Sequence, residues 1–423
     1  MRARPDILAR VTFSPGFRRL LPFILLFFTL NGVRLVLESF QAQALYRKDF
    51  IVDYLMAKAI LAGVNPYLPI PDLIERWMGV NDSAFLHANP HPPIVALLSL
   101  PLGLLSYRSA ALTWLAFELA CLAGSVTFLL QWWGARITLR CVSLMLAAAL
   151  GWMPVVEELW LGQFSALLLV LLLAAWEALR RGEDWKAGAF TGLMLALKFS
   201  GGPICLYLLA RRRWRAVAAA GGVFAAANLL PLLVLGSQPI REYYLEVGPQ
   251  VAAIYRLHEE NFSAWTIGQR LFQGSGLHVH VQPLWHAPLL ADVFTAVVPL
   301  TVLVVALAVS LRARTLDTAV GVLTAAGIWL QPVSWTHYLV LASVPLAIAS
   351  KRIAAAGWPR STTYVLGAIC CTFSLVGSTY VQLARWISSS PVDLLTWTGL
   401  LTLIPALGLC GLIYLLCTTE QEA

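Results

Sequence analysis

The chain has 423 residues, of which 59% are hydrophobic and only 12% charged, with a formal net charge of +8. A soluble domain carries about 25% charged residues, so this composition excludes a water-soluble globular protein and predicts a polytopic membrane protein. The positive charge lies in short clusters between apolar stretches, not in a basic stripe interleaved with exposed aromatics, which argues against nucleic-acid binding.

The N-terminus carries Arg2, Arg4, Arg10, Arg18 and Arg19 ahead of an apolar run over 20–38. That run is longer than a cleaved signal core, so it reads as a retained first span with a cytoplasmic N-terminus. Further apolar segments follow at 92–106, 109–133, 142–158, 163–179, 187–199, 202–210, 216–236, 288–311, 316–333, 338–350, 361–382 and 393–417. A full span needs about 20 apolar residues. The pair 187–199 and 202–210 is short and broken by Gly and Pro, as in half-helices that line a cavity. Segment parity predicts that one segment, 142–158, is re-entrant. The expected fold is an all-α bundle of about 11–13 transmembrane helices in a single integral-membrane domain over residues 1–423.

Arg180-Arg181, Arg211-Arg212-Arg213, Arg312/Arg314 and Lys351-Arg352 mark the cytoplasmic side. Two hydrophilic stretches, 39–91 and 237–287, then fall outside. The first contains a predicted amphipathic interfacial helix over 49–62, stopped by Gly63 and Pro66. Gly188 and Gly192 form a small-xxx-small helix contact. Seven scattered cysteines show no disulfide or zinc spacing, and vicinal Cys370-Cys371 read as small buried residues.

The chain lacks a phosphate-binding Gly-rich loop, an Asp-x-Asp pair and a His-Glu-x-x-His motif. This disfavours an ATP-driven pump, a nucleotide-sugar enzyme and a zinc protease. The polar residues that remain gather near the outer face: Asp49 and Asp53 on one helical side, His91 before Pro92-Pro93, Asn261-Phe262-Ser263 with Arg270, the run Gln331–Tyr338, and Lys198 at the tip of the short pair. Carboxylate, histidine and cations on one face are the inventory for moving a group from a lipid-linked phosphate to a hydroxyl: a base takes the acceptor proton and cations hold the departing phosphate.

The run Lys48-Asp49-Phe50-x-x-x-Tyr54, with Gly63-x-Asn65-Pro66-Tyr67, resembles the first outer loop of glycosyltransferase family 87, a polyprenyl-phosphate-sugar-dependent family of the GT-C class. His91-Pro92-Pro93-Ile94, Leu161-Gly162-Gln163, Ala196-Leu197-Lys198 before the Arg211–Arg215 cluster, Asn261-x-Ser263 with Arg270, and Pro332-Val333-Ser334-Trp335-x-His337 resemble its later blocks, in order, over about residues 45–345. Departures are Tyr338 where the family often has a second His, Phe262 where it often has Gln, and Lys198-Phe199 in place of Lys-Pro.

The resemblance implies a GT-C-like fold and transfer of one sugar, mannose ahead of arabinofuranose, from a polyprenyl-phosphate donor to a glycolipid or glycan hydroxyl. The expected setting is the outer face of a bacterial plasma membrane, with inversion and without a metal or other cofactor. It implies Asp49 and His337 as catalytic residues and Lys198, Arg270 and Arg256 at the donor phosphate. Asp53, Tyr67, His91, Gln163, Asn261 and Trp335 become the expected substrate contacts. His258, His278, His280 and His286 read as loop residues, and the sequons Asn81-Asp82-Ser83 and Asn261-Phe262-Ser263 carry no weight. The rival reading is a flippase or other transporter of a lipid-linked sugar, which would place charges at mid-membrane and commonly show repeat symmetry.

Overall fold

The computed structural model describes residues 15–80, 85–258, 260–274, 281–375 and 377–421. Arg2, Arg4, Arg10, Asn81, Asp82, Ser83, His278 and His280 lie outside these residues. The described residues form helices joined by short turns, with one isolated β-bridge between Pro69 and Ala88.

Among the described residues, six helical stretches are long and apolar enough to cross a membrane: Arg19–Glu38, Tyr107–Trp133, Trp214–Leu235, Pro288–Arg312, Thr336–Ala355 and Leu394–Gln421. The pair Leu139–Leu150 and Met153–Leu161 is bent by 81° and makes a seventh if it is counted as one span. The bend falls within 142–158, the segment expected to be re-entrant: Gly151 ends the first half and Pro154 opens the second. Six or seven long spans among the described residues are fewer than the expected 11–13. The other apolar segments, such as Pro93–Gly103, Phe199–Ala210 and Leu316–Trp329, are short. Leu316–Trp329 is buried on every side from Thr318 onward. A helix that is apolar all round and short is satisfied inside a bundle as well as in lipid, so hydropathy alone overcounts spans. By contrast, Trp214–Leu235 and Pro288–Arg312 expose Leu229, Leu233, Leu289 and Leu300, as lipid-facing helices do.

Eight helices position the site: α1 (Phe50–Leu61), α2 (Ile70–Met78), α3 (Pro93–Gly103), α4 (Met153–Leu161), α5 (Asp184–Leu197), α6 (Gly202–Ala210), α7 (Trp214–Leu235) and α8 (Leu316–Trp329). The interfacial amphipathic helix expected over 49–62 is instead a core helix. Phe50 to Ala57 and Ala59 are buried in α1, which packs against α2 and α3. Asp53, in its first turn, is buried and hydrogen-bonded to His91. The amphipathic helix of this loop is α2, with Ile70, Leu73 and Ile74 inward and Glu75 and Arg76 outward.

The Gly188/Gly192 contact is present as expected. A methyl group on Gly188 would lie 2.0 Å from the Ala216 carbonyl oxygen, and one on Gly192 2.6 Å from that of Ala220. The equal spacing of the two pairs lets α5 and α7 touch backbone to backbone.

Candidate active site

A cavity of about 580 Å³ opens between α1, α4, the α5–α6 junction and the first turn of the Thr336–Ala355 span. Its lining is polar at Asp49, His91, Glu157, Gln163, Lys198, His337 and Tyr338 and apolar at Leu195, Phe199, Phe224 and Val251.

Asp49 is the residue before α1. Its side chain makes no capping hydrogen bond, which removes the simplest structural role for an Asp at that position. Instead Oδ2 accepts from Gln163 Nε2 at 2.6 Å. Lys48 is what brings these two together. Its ammonium donates to Ser39 Oγ at 2.9 Å and to the Leu159 carbonyl at 3.1 Å, with a third bond to the Trp160 carbonyl. A cation on the last carbonyls of α4 is a favourable helix cap, and it pins the Asp49 turn to the loop that carries Gln163. Burial pushes the Lys48 ammonium down to about 8, against the opposing pull of Glu118 and Asp49. Gly162 completes the arrangement. It ends α4 at φ +73°, and a methyl group there would meet Phe50 Cβ at 2.8 Å. Only glycine adopts that conformation at low cost and leaves room for Phe50.

Lys198 follows α5 in extended conformation, where the helix stops before Gly201 and Gly202. Its Nζ donates to Gln163 Oε1 at 3.0 Å and to the Tyr338 hydroxyl at 2.8 Å. Gln163 thus has one orientation: its amide nitrogen serves Asp49 and its oxygen serves Lys198. Burial raises the proton affinity of Asp49 above the usual carboxylate range, while the Gln163 hydrogen bond and the nearby charges of His91 and Lys198 pull it back.

His337 lies beside this chain, buried and edge-on to the Tyr338 ring at 4.6 Å. Neither ring nitrogen has a hydrogen-bond partner among the described residues, nor has Glu157 Oε2. Each such buried group costs about 1–3 kcal/mol unless something completes it, so the cavity wall offers a donor–acceptor set that an incoming hydroxylated molecule can satisfy. Trp335 also lines the cavity, edge-on to Tyr255 and His258. Among the described residues no three His, Cys, Asp or Glu side chains are placed to hold a metal ion.

The structure therefore brings Asp49, His91, Gln163, Lys198, Trp335 and His337 to one cavity, and it does not bring the other sequence candidates. Asp53 is 1% exposed and accepts from His91 Nδ1 at 2.6 Å, so it orients His91 from behind the wall. Tyr67 is buried against Tyr243 and donates to the His91 carbonyl at 3.1 Å. Asn261 holds a loop: its amide donates to the Tyr255 and Arg256 carbonyls, and its oxygen accepts from the Ser263 and Ser334 amides. Arg270, expected at a phosphate, spends donors on the Asn261 carbonyl at 2.8 Å and on that of His258, bracing the same loop from outside the cavity. Arg256 is exposed and also outside it. The shared reason is that a cationic or amide side chain satisfies backbone carbonyls as readily as it satisfies a ligand.

Sequence reasoning missed Glu157, Tyr338 as a partner of Lys198, and the pinning role of Lys48. Glu157-Glu158 carried a usable signal: two adjacent acids inside an otherwise apolar segment.

The model of glycosyltransferase family 87 matches residues 89–332, more than half of the chain. The match begins after the Lys48–Tyr67 block and ends just before His337. Over 335 residues, covering 76% of each chain, the protein is 28% identical to the polyprenol-phosphate-mannose-dependent alpha-(1-2)-phosphatidylinositol pentamannoside mannosyltransferase of Mycolicibacterium smegmatis. Over 381 residues, 83% of this chain and 77% of the relative, it is 27% identical to the polyprenol-phosphate-mannose-dependent alpha-(1-2)-phosphatidylinositol mannoside mannosyltransferase of Mycobacterium tuberculosis. The extent of the family match is decisive: this chain belongs to glycosyltransferase family 87.

Proposed function

We propose that the protein transfers a mannosyl group from polyprenyl-phosphate-mannose to a hydroxyl of a glycolipid, on the extracytoplasmic face of a bacterial plasma membrane, with inversion at the anomeric carbon. The sugar and donor rest on the relatives' names. The observation that carries the chemistry is the hydrogen-bonded chain Asp49–Gln163–Lys198–Tyr338 in the wall of one cavity. It sets a carboxylate and a cation side by side, separated by a neutral amide that stops them neutralising each other directly.

Asp49 accepts the acceptor hydroxyl's proton as that oxygen bonds to the anomeric carbon. The bond from that carbon to the phosphate oxygen breaks on the opposite side. Its electron pair leaves on the polyprenyl phosphate, whose added charge Lys198 balances with help from the Tyr338 hydroxyl. His337 hydrogen-bonds the acceptor or the sugar, which gives its unpartnered nitrogens their use. The apolar lining of Leu195, Phe199 and Phe224 suits the first isoprene units of the donor, and Trp335 suits the face of an acceptor sugar. The balance of atoms needs no metal.

The test is sugar transfer from radiolabelled polyprenyl-phosphate-mannose to a glycolipid acceptor in membranes holding wild-type protein or Asp49→Asn. General-base catalysis contributes about 10²–10⁴ in rate, so Asp49→Asn is expected to lose that much with donor binding retained. Full activity in Asp49→Asn overturns the mechanism. Translocation of the lipid donor without transfer would support the flippase reading instead.

A further inference from the structure

A second cavity, of about 410 Å³, lies at the opposite end of α5 from Lys198, lined by Tyr207, Arg211, Arg213, Arg314 and Thr315. Arg213 Nη1 meets Asp184, the first residue of α5, at 3.0 Å. Fourteen residues of helix at 1.5 Å each separate that contact from Lys198, about 20 Å. The cavity is therefore remote from the active site, and no part of the proposed chemistry uses it. We propose that it binds the phosphate of an anionic phospholipid headgroup.

Location is the first argument. The cavity sits where three helix ends meet: α6 ends at Ala210, α7 begins at Trp214, and the span Pro288–Arg312 ends just before Arg314. Ends of membrane-crossing helices lie at headgroup depth. Trp185 and Trp214, next in sequence to Asp184 and Arg213, are 63% and 60% exposed, as interfacial aromatics are.

Charge is the second. Of the three arginines, only Arg213 has a carboxylate partner among the described residues. Arg211 Nε donates to the Tyr207 hydroxyl at 3.3 Å, which aims the guanidinium and leaves its charge unbalanced. The Arg314 side chain makes no hydrogen bond or ion pair with another described residue. Two further carboxylates lie close by in the chain or its contacts: Glu420 is taken up by the Thr315 amide and by the Thr315 and Thr318 hydroxyls, and Asp317 accepts from Trp176 Nε1 at 2.9 Å and lies 3.9 Å from Arg180 Nε. The site therefore keeps an excess of cations, with guanidinium donors suited to phosphate oxygens.

Backbone conformation is the third. Arg212, between the two lining arginines of the α6–α7 turn, has φ +56°. Glycine or asparagine usually takes such a position at a helix end. The turn carries three consecutive arginines at a conformational cost, where one glycine would have served the turn alone.

The purified full-length protein in a neutral detergent, incubated with radiolabelled phosphatidylglycerol or phosphatidylcholine vesicles and then repurified, measures lipid retention. Wild type is expected to keep phosphatidylglycerol over phosphatidylcholine. Arg211→Gln with Arg314→Gln is expected to lower that preference by about fivefold for each arginine. Arg211→Lys with Arg314→Lys, which preserves both charges, is expected to retain most of it. Equal retention of the two lipids by wild type, or unchanged preference in the Gln pair, overturns the proposal. So does equal loss in the Lys and Gln pairs, which would trace retention to packing. Displacement of phosphatidylglycerol by inorganic phosphate alone would make this a soluble-anion site and overturn the lipid assignment.

Discussion

The two ends of α5 carry opposite solutions to the same problem of placing cations in a membrane protein. At the Asp184 end several arginines line one cavity, with one aspartate and a tyrosine hydroxyl as side-chain partners among the described residues. At the other end a single lysine is held by an amide oxygen and a phenol, with a carboxylate one hydrogen-bond partner away. The cation-rich end has the greater field, and the cation-poor end has the greater organisation. Catalysis depends on donors that are already oriented where charge develops, so the proposed chemistry asks more of one half-buried, directed lysine than of the arginine cluster.

The comparison breaks most visibly at Lys198. Lys198→Met keeps the length of the side chain and removes the charge and both hydrogen bonds. Transfer rate is expected to fall about 10²–10³-fold, as for loss of one preorganised charge-stabilising donor, with the protein still folded by circular dichroism. A loss below tenfold would show that the cation at this end is as dispensable as any one arginine at the other.

A smaller, more diagnostic effect is expected from Gln163→Leu. Asp49 must be ionised to act as a base, and its burial already raises its proton affinity, so the acid limb of the pH–rate profile is expected above the usual carboxylate range of about 4. The Gln163 bond lowers that affinity. Its removal is expected to move the limb to higher pH, with the largest loss of rate on the acid side and partial recovery as pH rises. A limb that stays in place would detach Gln163 from Asp49.

The smallest effect is expected at the far end. Asp184 and Arg213 are 28% and 35% exposed, and an ion pair that open contributes about 0–1 kcal/mol. Asp184→Asn is expected to change transfer by less than about twofold and the thermal midpoint by a few degrees at most. A larger fall in transfer would show that the two ends of α5 are coupled.

Several parts of this molecule were legible from residues alone. Composition settled the membrane class, since no aqueous core absorbs so much apolar surface. The spacing of Gly188 and Gly192 announced the contact with α7. The Gly/Pro break after Lys198 placed that lysine at the junction of two short helices, and ordered motifs named the family. Span number was less legible, because a buried helix such as Leu316–Trp329 reads like a lipid-facing one.

What the tertiary structure alone decided is where each polar side chain ends up. Asp49 and Asp53 share a helical face, yet one meets Gln163, 114 residues away, and the other meets His91. Lys198 finds Tyr338 at a separation of 140 residues. Arg270 and Asn261, equally attractive in the sequence, close a loop instead. Local periodicity determines which side of a helix a residue occupies. The partner that waits there is set by elements brought close only when the chain packs, and in a low-dielectric interior that partner decides whether a charge becomes a brace or a catalyst.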